Sequence, residues 1–162
     1  MLESLLPLLR CPVTRTALTA KIIKWSTKKL NGEHVQVIDE AVLYAEEDWI
    51  YPVIHGIPRL NVEAFLDYEK FFKTTDTNYP AVKENLLIKY STLIREVVKK
   101  NKRTKESFTK EWSFYNYDND DTWGADDASM ITRFLNETDE TIDSLQHKII
   151  FDAGCGHGKL DT

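Results

Sequence analysis

Across residues 16–60 the chain runs in short apolar stretches rich in Val, Ile, Tyr and Trp, separated by turn-forming residues. That pattern predicts β-strands. The clearest punctuation is Asn31-Gly32, a pair that accepts the positive φ angles of a tight hairpin; it separates residues 21–25 from 34–38. Two further runs, 41–45 and 49–53, complete a small antiparallel sheet that closes on the turn His55-Gly56-Ile57-Pro58. The result is a module of about 60 residues, close to the size below which a domain needs a staple. Residues 1–10 are apolar but carry Glu3, lack a basic leader and are too short to cross a bilayer, so they are read as a short helix packed on their own domain.

After residue 60 the period changes. Leu86, Leu87, Tyr90, Leu93, Ile94, Val97 and Val98 recur at the spacing of one helical face. With mixed charge opposite, this stripe is read as core-facing or interdomain rather than membrane-facing. Residues 108–123 are aromatic and acidic and read as an ordered loop. The glycine and closing glutamate of a calcium loop are missing at the required offsets, which excludes an EF-hand. Asp126 or Asp127 is placed to cap a helix with Met130, Ile131, Phe134 and Leu135 on one side, and a helical turn near residues 142–145 leads to a last strand.

Composition narrows the class. The 162 residues can form one core, or a small module plus part of a second domain. Hydrophobic residues at 42% and charged residues at 29% describe a globular chain and exclude a disordered or fibrous one. A net charge of -5 gives no reason to expect nucleic-acid binding across the whole surface. The local basic run Lys99, Lys100, Lys102, Arg103 and Lys105 is read as a solvated helix end and loop, without assigned function. Two distant cysteines, Cys11 and Cys155, do not make a disulfide framework, and a cytoplasmic location is expected.

The chemistry is concentrated near the end. Ile149-Ile150-Phe151-Asp152 reads as a buried parallel strand, followed by the glycine-rich Ala153-Gly154-Cys155-Gly156-His157-Gly158. Glycines let a ligand approach the backbone, and an acid at the carboxyl end of a strand lies where open α/β sheets bind ligands. Lys159 is followed by Leu160, which excludes a phosphate-cradling P-loop. The spacing is Gly-x-Gly-x-Gly; a dinucleotide fingerprint needs its third glycine one residue later, which disfavours a dehydrogenase.

Residues 150–160 resemble the first motif of class I S-adenosylmethionine-dependent methyltransferases, and 134–138 and 144–148 resemble the helix and turn that precede it. The resemblance implies that Gly154, Gly156 and Gly158 pack against the cofactor S-adenosylmethionine and that Asp152 orients its methionine part. Cys155 is common at that place in the family, and His157 occupies a variable loop position. A second resemblance covers the first third of the chain. Residues 8–14, 41–45 and 51–60 are similar to the small zinc-ribbon-related domain of methyltransferase activator proteins, which is also found fused ahead of methyltransferase domains. Thr14 stands where the second cysteine of a Cys-x-x-Cys pair would be, and no cysteine lies near residues 44–51, so structural zinc is not expected. His34 and His55 lack ligand spacing and are read as surface or turn residues; Trp25, Trp49 and Tyr51 are expected to supply buried area instead. Ser107, Phe108 and Trp112 resemble a Ser-Phe…Trp segment found ahead of the catalytic core in such fusions.

The expected fold is therefore α+β: an activator-like antiparallel β module over 1–62, a helical and aromatic linker over 63–127, and over 128–162 the start of a Rossmann-like methyltransferase domain. The resemblance implies a methyltransferase cut off after its first cofactor motif and inactive as it stands, with its acceptor and catalytic residues unidentified. The competing expectation is a non-catalytic module that binds or activates a partner methyltransferase. A small-molecule cofactor is expected, no membrane is expected, and nucleic acid is not indicated.

Overall fold

The computed structural model describes residues 1–30, 32–113, 127–146 and 148. These fall into two compact units, Met1–Thr104 and Lys105–Thr162. The protein is α+β, with a four-stranded antiparallel sheet and helices.

In the first unit a 3-10 turn, Glu3–Leu8, leads to strands β1 (Thr19–Leu30), β2 (Glu33–Tyr44), β3 (Ile50–Ile54) and β4 (Ile57–Pro58), each hydrogen-bonded to the next in chain order. Leu30 faces Glu33, so two residues connect β1 to β2, and Gly32 takes φ +85°. That is the hairpin the Asn-Gly pair predicts; Asn31 itself lies outside the described residues.

The two apolar runs on either side of Asp39-Glu40 form one 12-residue strand rather than two. Acids there would break a half-buried strand if their charge were unmatched. The register solves this: Ile22 pairs with Ala41, Lys24 with Glu40 and Trp25 with Ile38, a bulged arrangement in which Lys24 Nζ reaches Asp39 Oδ2 at 2.8 Å. The Lys24 ammonium holds the Asp39 carboxyl below the usual carboxylate range. The backbone of Met1 pairs with Ile38 in both directions at 2.8 Å, which helps cover β2. Ile38, Ala41, Val42 and Leu43 are accordingly buried without strict alternation, as in a strand covered on both faces.

Short helices α1 (Ala64–Asp67) and α2 (Glu69–Thr75) are followed by α3 (Tyr79–Lys89) and α4 (Ser91–Trp112). Phe65, Phe72, Tyr79, Leu86 and Ile94 pack into the same core as the sheet. Asp76 organises the entry to α3: it accepts from the backbone N–H of Asn78 and from the hydroxyl of Tyr44, both at 2.9 Å. Burial and this carboxylate push the Tyr44 phenol up to about 12.

Three expectations are corrected. The stripe from Leu86 to Val98 is divided between two helices at Tyr90, whose ring turns in against Trp49 at 5.0 Å and whose hydroxyl donates to Glu47. The aromatic stretch read as loop from residue 108 is helical as far as Trp112, because the preceding Lys, Arg and Glu residues favour a helix and propagate it; residues 114–126 lie outside the description. Trp25, expected in the core, is 38% exposed on β1, whereas Trp49 and Tyr51 are fully buried.

In the second unit α5 (Asp127–Thr138) and α6 (Ile142–Leu145) lie where the sequence places them. Thr141 and Ser144 cap α6 reciprocally. Ile131, expected with the apolar side of α5, is 45% exposed.

Glu69 pairs with Lys73 within α2 at 2.8 Å and ties α2 to α3 through Lys83 at 2.9 Å, and these ammonium groups lower its carboxyl to about 2. A carboxyl depressed from an unfolded value of 4.5 contributes stability above that pH and loses it as pH falls towards 2. The Glu69→Gln variant is therefore expected to show a flatter loss of unfolding free energy between these pH values in urea titrations. Identical pH profiles for the two proteins would contradict the ion-pair assignment.

Candidate functional site

The loop around Cys11 is built as a tight knuckle. Arg10 bridges to Ala17, the Cys11 N–H donates to Thr16 O at 2.9 Å, and the Arg15 N–H donates to Cys11 O at 2.8 Å, with Arg15 in the left-handed region at φ 61°. This closure turns the backbone N–H of Thr14 towards the Cys11 sulfur at 3.4 Å. On the sulfur's other side lies the Tyr51 hydroxyl from β3, at 3.1 Å. Both residues are buried, Cys11 to 1% exposure. Burial pushes the Tyr51 phenol far up. Burial also raises the Cys11 thiol, but its interactions with Thr14 and Tyr51 together outweigh that and hold it below the ordinary value. Opposite shifts favour Tyr51 as the donor and the sulfur as acceptor.

Sequence reading singled out Cys11 and Tyr51 for different reasons and did not join them. The signal was present: Tyr51 lies on a strand whose odd and even positions are both apolar, so its hydroxyl required an internal partner. Among the described residues no group of three or more His, Cys, Asp or Glu is placed to hold a metal ion. His34 lies exposed on β2 and His55 exposed in the β3–β4 turn.

A second polar group forms where the β2–β3 connection meets the α3–α4 break. Glu47 and Asp48 both take positive φ, 60° and 64°. Glu47 Oε2 receives Lys89 Nζ at 2.7 Å and the Tyr90 hydroxyl, and Asp48 accepts from Asn85 at 3.4 Å. Glu47 and Lys89 form a solvent-accessible ion pair and Asp48 is held by a neutral amide, which describes a clamp between segments and not a catalytic acid–base pair.

The residues expected to hold a cofactor, Asp152, Gly154, Gly156 and Gly158, lie outside the described residues, as do Cys155 and His157. The structure does describe the lead-in. Arg133 pairs with Glu137 at 2.7 Å along α5, and Lys148 reaches back to Glu140 at 2.9 Å, anchoring the residue that precedes the expected strand. An open groove runs along the face of α5 that carries Ala128, Thr132, Arg133 and Asn136. Phe108 is 53% exposed on α4, so within the described residues it covers nothing. Among the described residues no helix is long and apolar enough to cross a membrane.

No family model, no curated protein and no solved structure matches this chain.

Replacing Tyr51 by Phe removes the hydroxyl and leaves the buried Cys11 sulfur with the Thr14 N–H alone. A loss of about 1–2 kcal/mol in unfolding free energy is expected from equilibrium urea denaturation. Unchanged stability would mean that the Cys11–Tyr51 contact carries no net energy.

Proposed function

We propose that the chain contributes the activator-like module and the first cofactor strand of an S-adenosylmethionine-dependent methyltransferase of Rossmann-like fold. The observation that carries the reading is the strand–acid–glycine sequence Ile149-Ile150-Phe151-Asp152 with Gly154, Gly156 and Gly158 at two-residue spacing. Two structural features support it. Helices α5 and α6 form directly ahead of the motif, as the resemblance requires. The Cys11 knuckle, with its N–H···S bond from Thr14, is the kind of turn that a zinc-ribbon-related module would be expected to share.

In this reading S-adenosylmethionine supplies an electrophilic methyl group. The chain's own part is to hold it: glycines at 154, 156 and 158 admit the ligand against the backbone, and the Asp152 carboxylate accepts hydrogen bonds from its polar end. No described residue is assigned as a base, and the acceptor is left open because this scaffold serves many substrates.

The second reading, a module that binds or activates a partner methyltransferase, is supported by the closed core of the unit Met1–Thr104, which forms without the motif.

Calorimetric titration with S-adenosylhomocysteine tests the choice, applied to the 162-residue chain and to the longest product of its reading frame. Binding by either form that weakens at least tenfold in Asp152→Ala is expected for the methyltransferase reading. Binding by neither form overturns it in favour of the partner module.

A further inference from the structure

The cations of this chain are not evenly used. Lys24, Lys73, Lys83, Lys89, Arg133 and Lys148 sit in ion pairs. By contrast Arg95, Lys99, Lys100 and Arg103, all exposed on α4, form no ion pair or side-chain hydrogen bond among the described residues. Residues 91–104 hold five of the chain's 21 Lys and Arg but only one, Glu96, of its 26 Asp and Glu.

Helical spacing gathers these charges. Arg95, Lys99, Lys102 and Arg103 stand at i, i+4, i+7 and i+8 and so share one face, with Lys100 beside it. The opposite face is fixed by its contacts: Ile94 is buried, Leu93 packs on the core, and Asn101 Nδ2 donates to the buried Glu63 at 2.8 Å. The basic stripe therefore points away from the core of its unit. At a rise of about 1.5 Å per residue it runs for roughly 12 Å, the axial length of three to four phosphates along one nucleic-acid strand.

We propose that this face of α4 is a docking surface for a nucleic-acid phosphate backbone. Charge complementarity selects the polyanion. An anionic membrane is the weaker occupant, because an interfacial helix inserts a continuous apolar face, and Leu93 and Ile94 of α4 are already packed on the core. An acidic protein partner would call for a large aromatic anchor among the charges; residues 95–103 contain no aromatic, and the exposed apolar side chain beside the stripe is the small Val98. The surface reads no sequence, since it offers charge without a geometry for base edges. The inference does not depend on the methyltransferase reading, and the two fail separately.

The test uses the 162-residue chain with fluorescent RNA hairpin, DNA duplex of equal length, and phosphatidylcholine vesicles with and without phosphatidylserine. Binding to RNA or DNA is expected at 50 mM salt in the range of about 1–100 μM, with log affinity falling against log salt at a slope of about -3, as for three or four neutralised phosphates. The RNA and DNA arms show which backbone is preferred. Charge reversal in Arg95→Glu/Lys99→Glu/Arg103→Glu should weaken binding at least tenfold, with Lys28→Glu/Lys29→Glu on β1 nearly unchanged. Circular dichroism checks folding, and Arg95→Gln/Lys99→Gln/Arg103→Gln, expected to lose at least fivefold, serves if the reversed form unfolds. No binding to either nucleic acid, binding indifferent to these substitutions, or binding to anionic vesicles alone overturns the proposal.

Discussion

Burial of Trp49 is the constraint on which the first unit depends. Its indole is fully enclosed, stacked on Tyr51 at 6.4 Å, edge-on to Phe65 at 6.1 Å and tilted against Tyr90 at 5.0 Å. Those partners come from β3, α1 and the break between α3 and α4, so a single side chain sets where the sheet, the first helix and the helix break must meet. The positive φ angles at Glu47 and Asp48 follow from the same requirement. The chain has only a three-residue turn, Glu46–Asp48, in which to drive Trp49 inward, and residues other than glycine adopt that conformation at a cost of about 1–2 kcal/mol each. Enclosing the indole offsets it.

Much of the sheet was legible because its signals are local. The Asn-Gly pair marks the hairpin, and the apolar runs mark the strands. What the sequence hid depends on pairs of residues far apart. Nothing local says that Asp39 is neutralised by Lys24 across the hairpin, so two short strands were expected where one long strand forms. Likewise, apolar periodicity runs through Tyr90 without interruption; only its contacts with Trp49 and Glu47 make it a break. Trp25 misleads for the opposite reason: a large aromatic on a strand was expected inside, but β1 is an edge strand and half of its positions face outward.

The same division governs the candidate site residues. A glycine spacing is a local feature, and the resemblance of residues 149–158 to a cofactor loop rests on those residues alone. The Cys11–Tyr51 contact joins positions 40 residues apart and needed the fold. The basic stripe lies between these cases. Its residues were visible as a run, but a run divided between helix end and loop presents no face. Once α4 continues to Trp112, Lys99, Lys102 and Arg103 fall on one helical face.

A comparison of magnitudes shows what holds the module together. In small metal-bound domains, structural zinc contributes on the order of 10–16 kcal/mol to folding. The described contacts of the Cys11 sulfur are hydrogen bonds, worth about 1 kcal/mol each, and they fall short of that by an order of magnitude. Aromatic burial is the term of the right size, at roughly 4–6 kcal/mol of gross transfer free energy for each fully enclosed ring. Trp49 and Tyr51 lie on the sheet side, but Phe65, Phe72 and Tyr79 come from α1, α2 and α3. A sheet of this size with only its own two rings would sit near the lower limit of stability. The helices after residue 62 are therefore part of the module's core in energetic terms, and the knuckle at Cys11 is shaped by that core instead of shaping it.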